Sequence, residues 1–156
     1  MRSQSVAFTR LYQHCPKSRF LPMPRKEASE HALRARIALE RLRNGEADRP
    51  LVNLVSQDII IAGFITRAGY GKLDVEDIDR VERGLADVLV EADRTGVWHV
   101  SGQLIDALAV VVSEYDRQLS VSRMEIVVRE SDYLEKLVDL AARNTPTTGS
   151  HSRVTQ

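Results

Sequence analysis

The sequence predicts an all-α fold: one bundle-like domain of about five helices. Three observations carry that expectation. Apolar residues recur at spacings of three and four along five successive segments. Most segments are bounded by helix punctuation, with a proline or a Ser/Asp cap in front and a glycine behind. Low aromatic content (5%) beside abundant Ala, Leu, Val, Arg and Glu favours helix. A length of 156 residues corresponds to one domain with room for a sizeable core.

Residues 1–23 show no clear periodicity and carry Pro16 and Pro22 ahead of Pro24, so they read as a flexible basic arm. Six basic and no acidic side chains fall in the first 26 residues, and Met23 is an alternative start. The expected helical domain then covers residues 24–143, and the polar end, residues 144–156, reads as a disordered tail.

The first helix is expected over residues 24–44 with Gly45 as its stop. Ala28, Ala32, Ala35, Leu39 and Leu42 form one face, a small-residue stripe suited to close packing. Leu33 and Ile37 lie on the far side, while Arg34 with Arg41 and Arg36 with Arg43 occupy the flanks.

The second helix, over residues 50–68, is the densest apolar run in the chain and the expected centre of the core. Asp48 and Pro50 open it, and Gly69 and Gly71 close it. Leu51, Leu54, Val55, Asp58, Ala62 and Ile65 share one face, with Ile60 and Phe64 nearly opposite. A helix apolar on both sides is buried on both sides. Its apolar stretch is about fifteen residues, short of the roughly 20 a membrane span needs, and Asn53, Gln57 and Asp58 interrupt it.

Asp74 reads as the cap of a third helix reaching Thr95, with a seam of Ile78, Val81, Leu85, Val88 and Ala92. Its outer face pairs Glu76 with Arg80 and Asp79 with Arg83 at i, i+4. Trp98, in the connection after Gly96, is expected to plug one end of the bundle. Ser101 caps a fourth helix to Leu119, with Leu104, Leu108, Val111, Val112, Tyr115 and Leu119 inward. Ser122 and Glu125 form a capping box that opens the fifth, whose apolar face is Met124, Val127, Leu134, Val138 and Ala141. Ser131 and Asp132 are a candidate break in it.

Asp58 is a candidate buried polar site. A carboxylate in an apolar stripe is costly unless paired or protonated. Arg34, Arg36 or Arg41 of the preceding helix, or a Tyr, is the expected partner. In the paired case Asp58→Asn would cost about 2–4 kcal/mol.

No catalytic, cofactor or metal motif is present in the sequence. His14, His31, His99 and His151 never stand at ligand spacing, and Cys15 is the single cysteine. No phosphate loop or nucleophile motif occurs. The chain has zero net charge, split as net +6 over residues 1–49 and net −6 over residues 50–156. Arg25, Lys26, Arg34 and Arg41 are therefore candidate nucleic-acid contacts of a weak, salt-sensitive kind. A helix-turn-helix through residues 69–72 would instead aim Asp74, Glu76, Asp77 and Asp79 at phosphates, which is repulsive.

The order Leu33-Arg34-Ala35-Arg36-Ile37-Ala38-Leu39-Glu40, then Ala68-Gly69-Tyr70-Gly71, Val97-Trp98 and Asp116-Arg117-Gln118-Leu119 resembles a group of short bacterial helical proteins. Members of that group are sometimes labelled Fis-like transcriptional regulators. The resemblance covers roughly residues 24–137 and implies a helical bacterial protein of the cytoplasm. It departs from the Fis pattern in having no C-terminal helix-turn-helix.

The residues together point to a non-enzymatic regulatory or protein-interaction module, cytoplasmic, without cofactor or membrane. A homodimer is expected through Leu33, Ile37, Ile60 or Phe64, on surfaces in excess of what one small bundle buries. A nucleic-acid-associated regulator is the alternative, and a small ligand-binding protein or enzyme the third reading.

Overall fold

The computed structural model describes residues 20–144, and within them the chain is all-α with five long helices and no strand. These are α1 (Arg25–Arg43), α2 (Arg49–Ile65), α3 (Val75–Thr95), α4 (Gly102–Val121) and α5 (Met124–Asn144). The expectations placed on residues 1–19 and 145–156, Cys15 and the polar tail among them, lie outside the described residues.

α2 is the hub. It packs against all four other helices, while α1 lies most extensively on α4, and α3 touches α4 only sparsely. Val52, Val55, Ile59, Ala62 and Ile65 of α2 are all buried. By length and composition the helical stretch Arg49–Tyr70 would suffice to cross a membrane, yet half of its apolar window is covered by the rest of the fold. At its start the Asp48 carboxylate accepts the Leu51 N–H at 2.8 Å, and proline sits in the first turn, where its missing N–H leaves no gap. The α-helix ends at Ile65, three residues before the expected Ala68, because a π-helical turn, Thr66–Tyr70, follows. Gly69 supplies the left-handed conformation that closes it (φ +92°).

α1 packs through Ala28, Ala32, Ala35 and Ala38, small side chains that let two helix backbones approach, together with Leu39 and Leu42. α3 begins at Asp74, whose backbone carbonyl, not its carboxylate, takes the first N–H groups. Gly96 ends it in the left-handed conformation (φ +72°). The expected i, i+4 pairs on α3 are replaced: Arg80 bonds Asp77, and Asp79 is taken by Arg67 from the π-turn. Trp98 is half-buried against the core, with the Arg49 guanidinium 5.6 Å over its ring. Ser101 caps α4 through its hydroxyl.

Two local expectations yield to a contact remote in sequence. The Ser122–Glu125 box does not form: Ser122 Oγ is buried without a partner among the described residues. The Leu21 carbonyl instead accepts the Met124 N–H at 2.8 Å, beside an isolated Pro22–Arg123 bridge. The same contact corrects the domain edge, since Met23, at the end of the expected arm, is buried in the core. α5 is unbroken through Ser131, whose hydroxyl bonds back to the Val127 carbonyl. Its expected apolar face is buried only as far as Leu134; Val138 and Ala141 are exposed because the helix runs past the body.

The π-turn is sterically exacting at its exit. A Cβ on Gly71 would lie 2.4–2.6 Å from the Thr66 side chain, which is fixed by its own bond to the Ala62 carbonyl. Gly71→Ala is expected to lower stability by about 1–3 kcal/mol in urea unfolding. Adding Thr66→Ala should recover part of that loss, and strictly additive effects in the double mutant would contradict the contact.

Candidate interaction groove and buried polar clusters

Asp58 is 2% exposed, and its Oδ1 accepts a bond from Arg34 Nη2 at 3.2 Å across the α1–α2 interface. Of the three arginines expected as partner, α1 presents Arg34; Arg36 reaches Asp116 on α4, and Arg41 reaches Glu46. Tyr115 on α4 turns its hydroxyl to the same carboxylate, so three helices meet at one charge. Oδ2 completes no hydrogen bond of standard geometry among the described residues. Burial raises the Asp58 pKa from 3.8 to about 6, against the opposing pull of the Arg34 charge, the Arg34 bond and Tyr115. Burial, and next the Asp58 charge, raise the Tyr115 phenol. The pair holds the helices in register without fully offsetting the desolvation of its anion.

A second cluster, unforeseen in the sequence, clamps the π-turn to α4. Glu114 Oε1 accepts the Lys72 N–H at 2.8 Å, and Arg117 Nη2 donates to the Tyr70 carbonyl at 2.7 Å. Arg117 also holds Glu114 through two bonds, of 2.8 and 2.6 Å. One turn on, fully buried Gln118 donates through Nε2 to Thr66 Oγ1 at 2.8 Å and to the Ala62 carbonyl at 3.2 Å. Burial pushes the Glu114 carboxyl up. The bonds from Arg117 and Lys72 outweigh it and hold the group below its ordinary value. Backbone groups that a π-turn leaves open are thus met by side chains of α4.

Sparse contact between α3 and α4 leaves a groove of about 590 Å³. Its floor is apolar: Leu73, Val81, Val88, Leu104, Ala107 and Val111 are buried or half-buried. Gly84 lies at its middle, where a Cβ would come within 2.8 Å of Leu104 Cδ1. Every titratable side chain on the lining, Asp77, Arg80, Asp87, Glu91 and His99, is exposed and stands on the rim. α3 carries seven acidic and three basic side chains, net −4. The groove therefore combines an oily floor with a predominantly acidic edge.

The four candidate dimer-surface residues lie in two places. Leu33 and Ile37 are more than half exposed on the outside of α1 and line a shallower groove, about 380 Å³, with Leu51 and Leu54. Ile60 and Phe64 are half-buried, and Phe64 meets Tyr133 of α5 at 5.2 Å between ring centroids. Of the candidate nucleic-acid contacts, Arg25 and Lys26 are exposed in the first turn of α1, whereas Arg34 and Arg41 engage Asp58 and Glu46. Among the described residues no three His, Cys, Asp or Glu side chains gather as a metal-ion cluster. Not every carboxylate of α3 faces solvent, and Glu82 is a departure. That side chain is half-buried over Gly63, whose missing Cβ would lie 2.7 Å from Glu82 Oε1, and burial raises its pKa.

No protein-family model matches the chain, and no curated protein or solved structure is significantly similar to it.

The rise of the Asp58 pKa from 3.8 to about 6 corresponds to roughly 3 kcal/mol. The folded state binds this proton more tightly than the unfolded chain. The stabilisation is thus complete below about pH 3.8 and lost as pH rises through about 6. Asp58→Asn, which mimics the neutral acid, is expected to be neutral or stabilising at pH 7, in place of the loss expected for a fully compensated pair. Urea unfolding of both proteins from pH 7 down to 4.5 tests this. Their difference should shrink or reverse as pH falls, and a pH-independent difference would rule the raised pKa out.

Proposed function

We propose that this chain is a non-enzymatic protein-interaction module, regulatory in role and cytoplasmic, that receives an amphipathic helix with basic flanks in the groove between α3 and α4. The observation that carries the reading is the segregation within the groove: apolar floor, charged rim. Helix-in-groove recognition uses apolar anchors at i, i+3, i+4 and i+7 on the guest, seated in an apolar channel. From Asp77 to Glu91 the channel follows fifteen residues of α3, about 21 Å from first to last at 1.5 Å per step, room for roughly four turns of a guest helix. Lysine or arginine flanking the anchors would meet Asp77, Asp87 and Glu91, favouring encounter more than final affinity.

A catalytic pocket places a few polar groups at depth, where low dielectric shifts their pKa values. In this groove the polar groups stand at the edge, which favours binding over chemistry. The two buried polar clusters serve packing: Asp58 joins α1, α2 and α4, and Glu114 with Gln118 holds the π-turn.

Selection from a displayed library of helical peptides tests the proposal. Enriched sequences are expected to repeat apolar residues at helical spacing with Lys or Arg beside them. Their binding should weaken with salt and fall at least tenfold on Val110→Glu, a change at a 54% exposed position on the groove wall. Selected peptides without that periodicity, or binding indifferent to Val110→Glu, would defeat it.

A further inference from the structure

We propose that the groove's occupant is the outer face of α1 from a second copy of this chain, so that the protein associates head to tail. The inference rests on the groove being a helix-binding site and adds the identity of the guest. Leu33 and Ile37 are 59% and 53% exposed, one turn apart on the side of α1 opposite its buried alanine face. Two large apolar side chains at i, i+4 on an exposed helix face are the anchor spacing that such a channel accepts. No other helix in the described residues offers an exposed apolar ridge on a basic background: α1 has six basic and three acidic side chains, net +3, against net −4 on α3. Lys26 stands in line with the ridge, and Arg36 and Arg41 flank it. The acids on this face are Glu30 and Glu40, the latter held by Arg43. The ion pair Arg41–Glu46 is exposed on both sides, so redirecting Arg41 to a partner's rim costs little, whereas Arg36 is exposed over a half-buried Asp116.

The geometry also fixes the kind of assembly. α1 is packed onto α4 by its alanine face, which turns Leu33 and Ile37 away from the groove on that same α4. A molecule cannot fill its own groove with this ridge. α1 lies on the Asp116 side of α4 and the groove opens on the Val110 side, so ridge and groove face different ways and one partner cannot meet both; the contact is heterologous and propagates into a ring or an open chain instead of closing as a two-fold dimer.

Light scattering or sedimentation of the full chain, with two variants, tests this. Wild-type mass should climb past that of two 17.6 kDa chains as concentration rises, and fall as salt is added. Leu33→Glu removes the ridge and Val110→Glu spoils the groove; both positions are exposed, and circular dichroism checks that each variant is folded. Each alone should be a monomer. Mixed, they should form a one-to-one dimer, because each retains the surface the other lost. Ile37→Glu with Asp87→Lys is the independent second pair. Failure of both mixtures to dimerise, wild-type mass that stops at a dimer, or a wild-type monomer at high micromolar concentration would each overturn the proposal. A monomer whose groove still binds selected peptides in a Val110-dependent way would overturn self-association alone and leave the groove reading standing.

Discussion

Covering α2 from every side is the constraint that arranges the remaining helices. A seventeen-residue helix with buried residues from Leu51 to Ile65 cannot be left facing water on any broad front. α1, α3, α4 and α5 each take part of its circumference. That demand explains two features which would otherwise look like defects. Asp58 sits in the stripe where α1 and α4 converge, and burial there disfavours its anion even with Arg34 and Tyr115 beside it. The π-turn after Ile65 redirects the chain toward α3, and the backbone groups it opens are met from α4 by Glu114, Arg117 and Gln118.

α4 is accordingly committed on two sides. It lies on α1 across a broad interface, and its polar residues grip the exit of α2. α3 is held mainly by α2. Two helices anchored to a common third element, and only lightly to each other, diverge. The groove is the space that divergence leaves, so the surface proposed for binding follows from how the core was closed.

How far this was legible depends on whether a feature is set locally. The five helices, the Asp48 and Ser101 caps and the Gly96 stop follow from residues within one or two turns, and the sequence displays them. Asp58 was visible as a carboxylate on an apolar stripe. Glu114 and Gln118 carried a comparable signal, since they stand three and seven residues after buried Val111, on the inward side of α4. Glu and Gln on a helix are ordinarily solvent-facing, and that prior outweighs the signal. The Ser122 box could not have been judged locally. Its rival is the carbonyl of Leu21, a hundred residues earlier, and sequence spacing holds no record of that approach. Ile60 and Phe64 look surplus only until α5 is known to fold back with Tyr133 against Phe64.

Gly84 connects the fold to the groove. Glycine inside a helix costs about 1 kcal/mol relative to alanine, so its presence mid-way along a 21-residue helix invites a reason. The space its side chain would fill is taken by Leu104, whose Cδ1 lies 2.8 Å from the Cβ position. With a Cβ at residue 84, the end of the Leu104 side chain would have to move off α3. The glycine lets Leu104 lie low on α3 and keeps the floor deep while the helices stay apart. Tighter α3–α4 packing would have been the usual use of such a glycine. Here the close approach is made by one side chain, and the volume above it remains open.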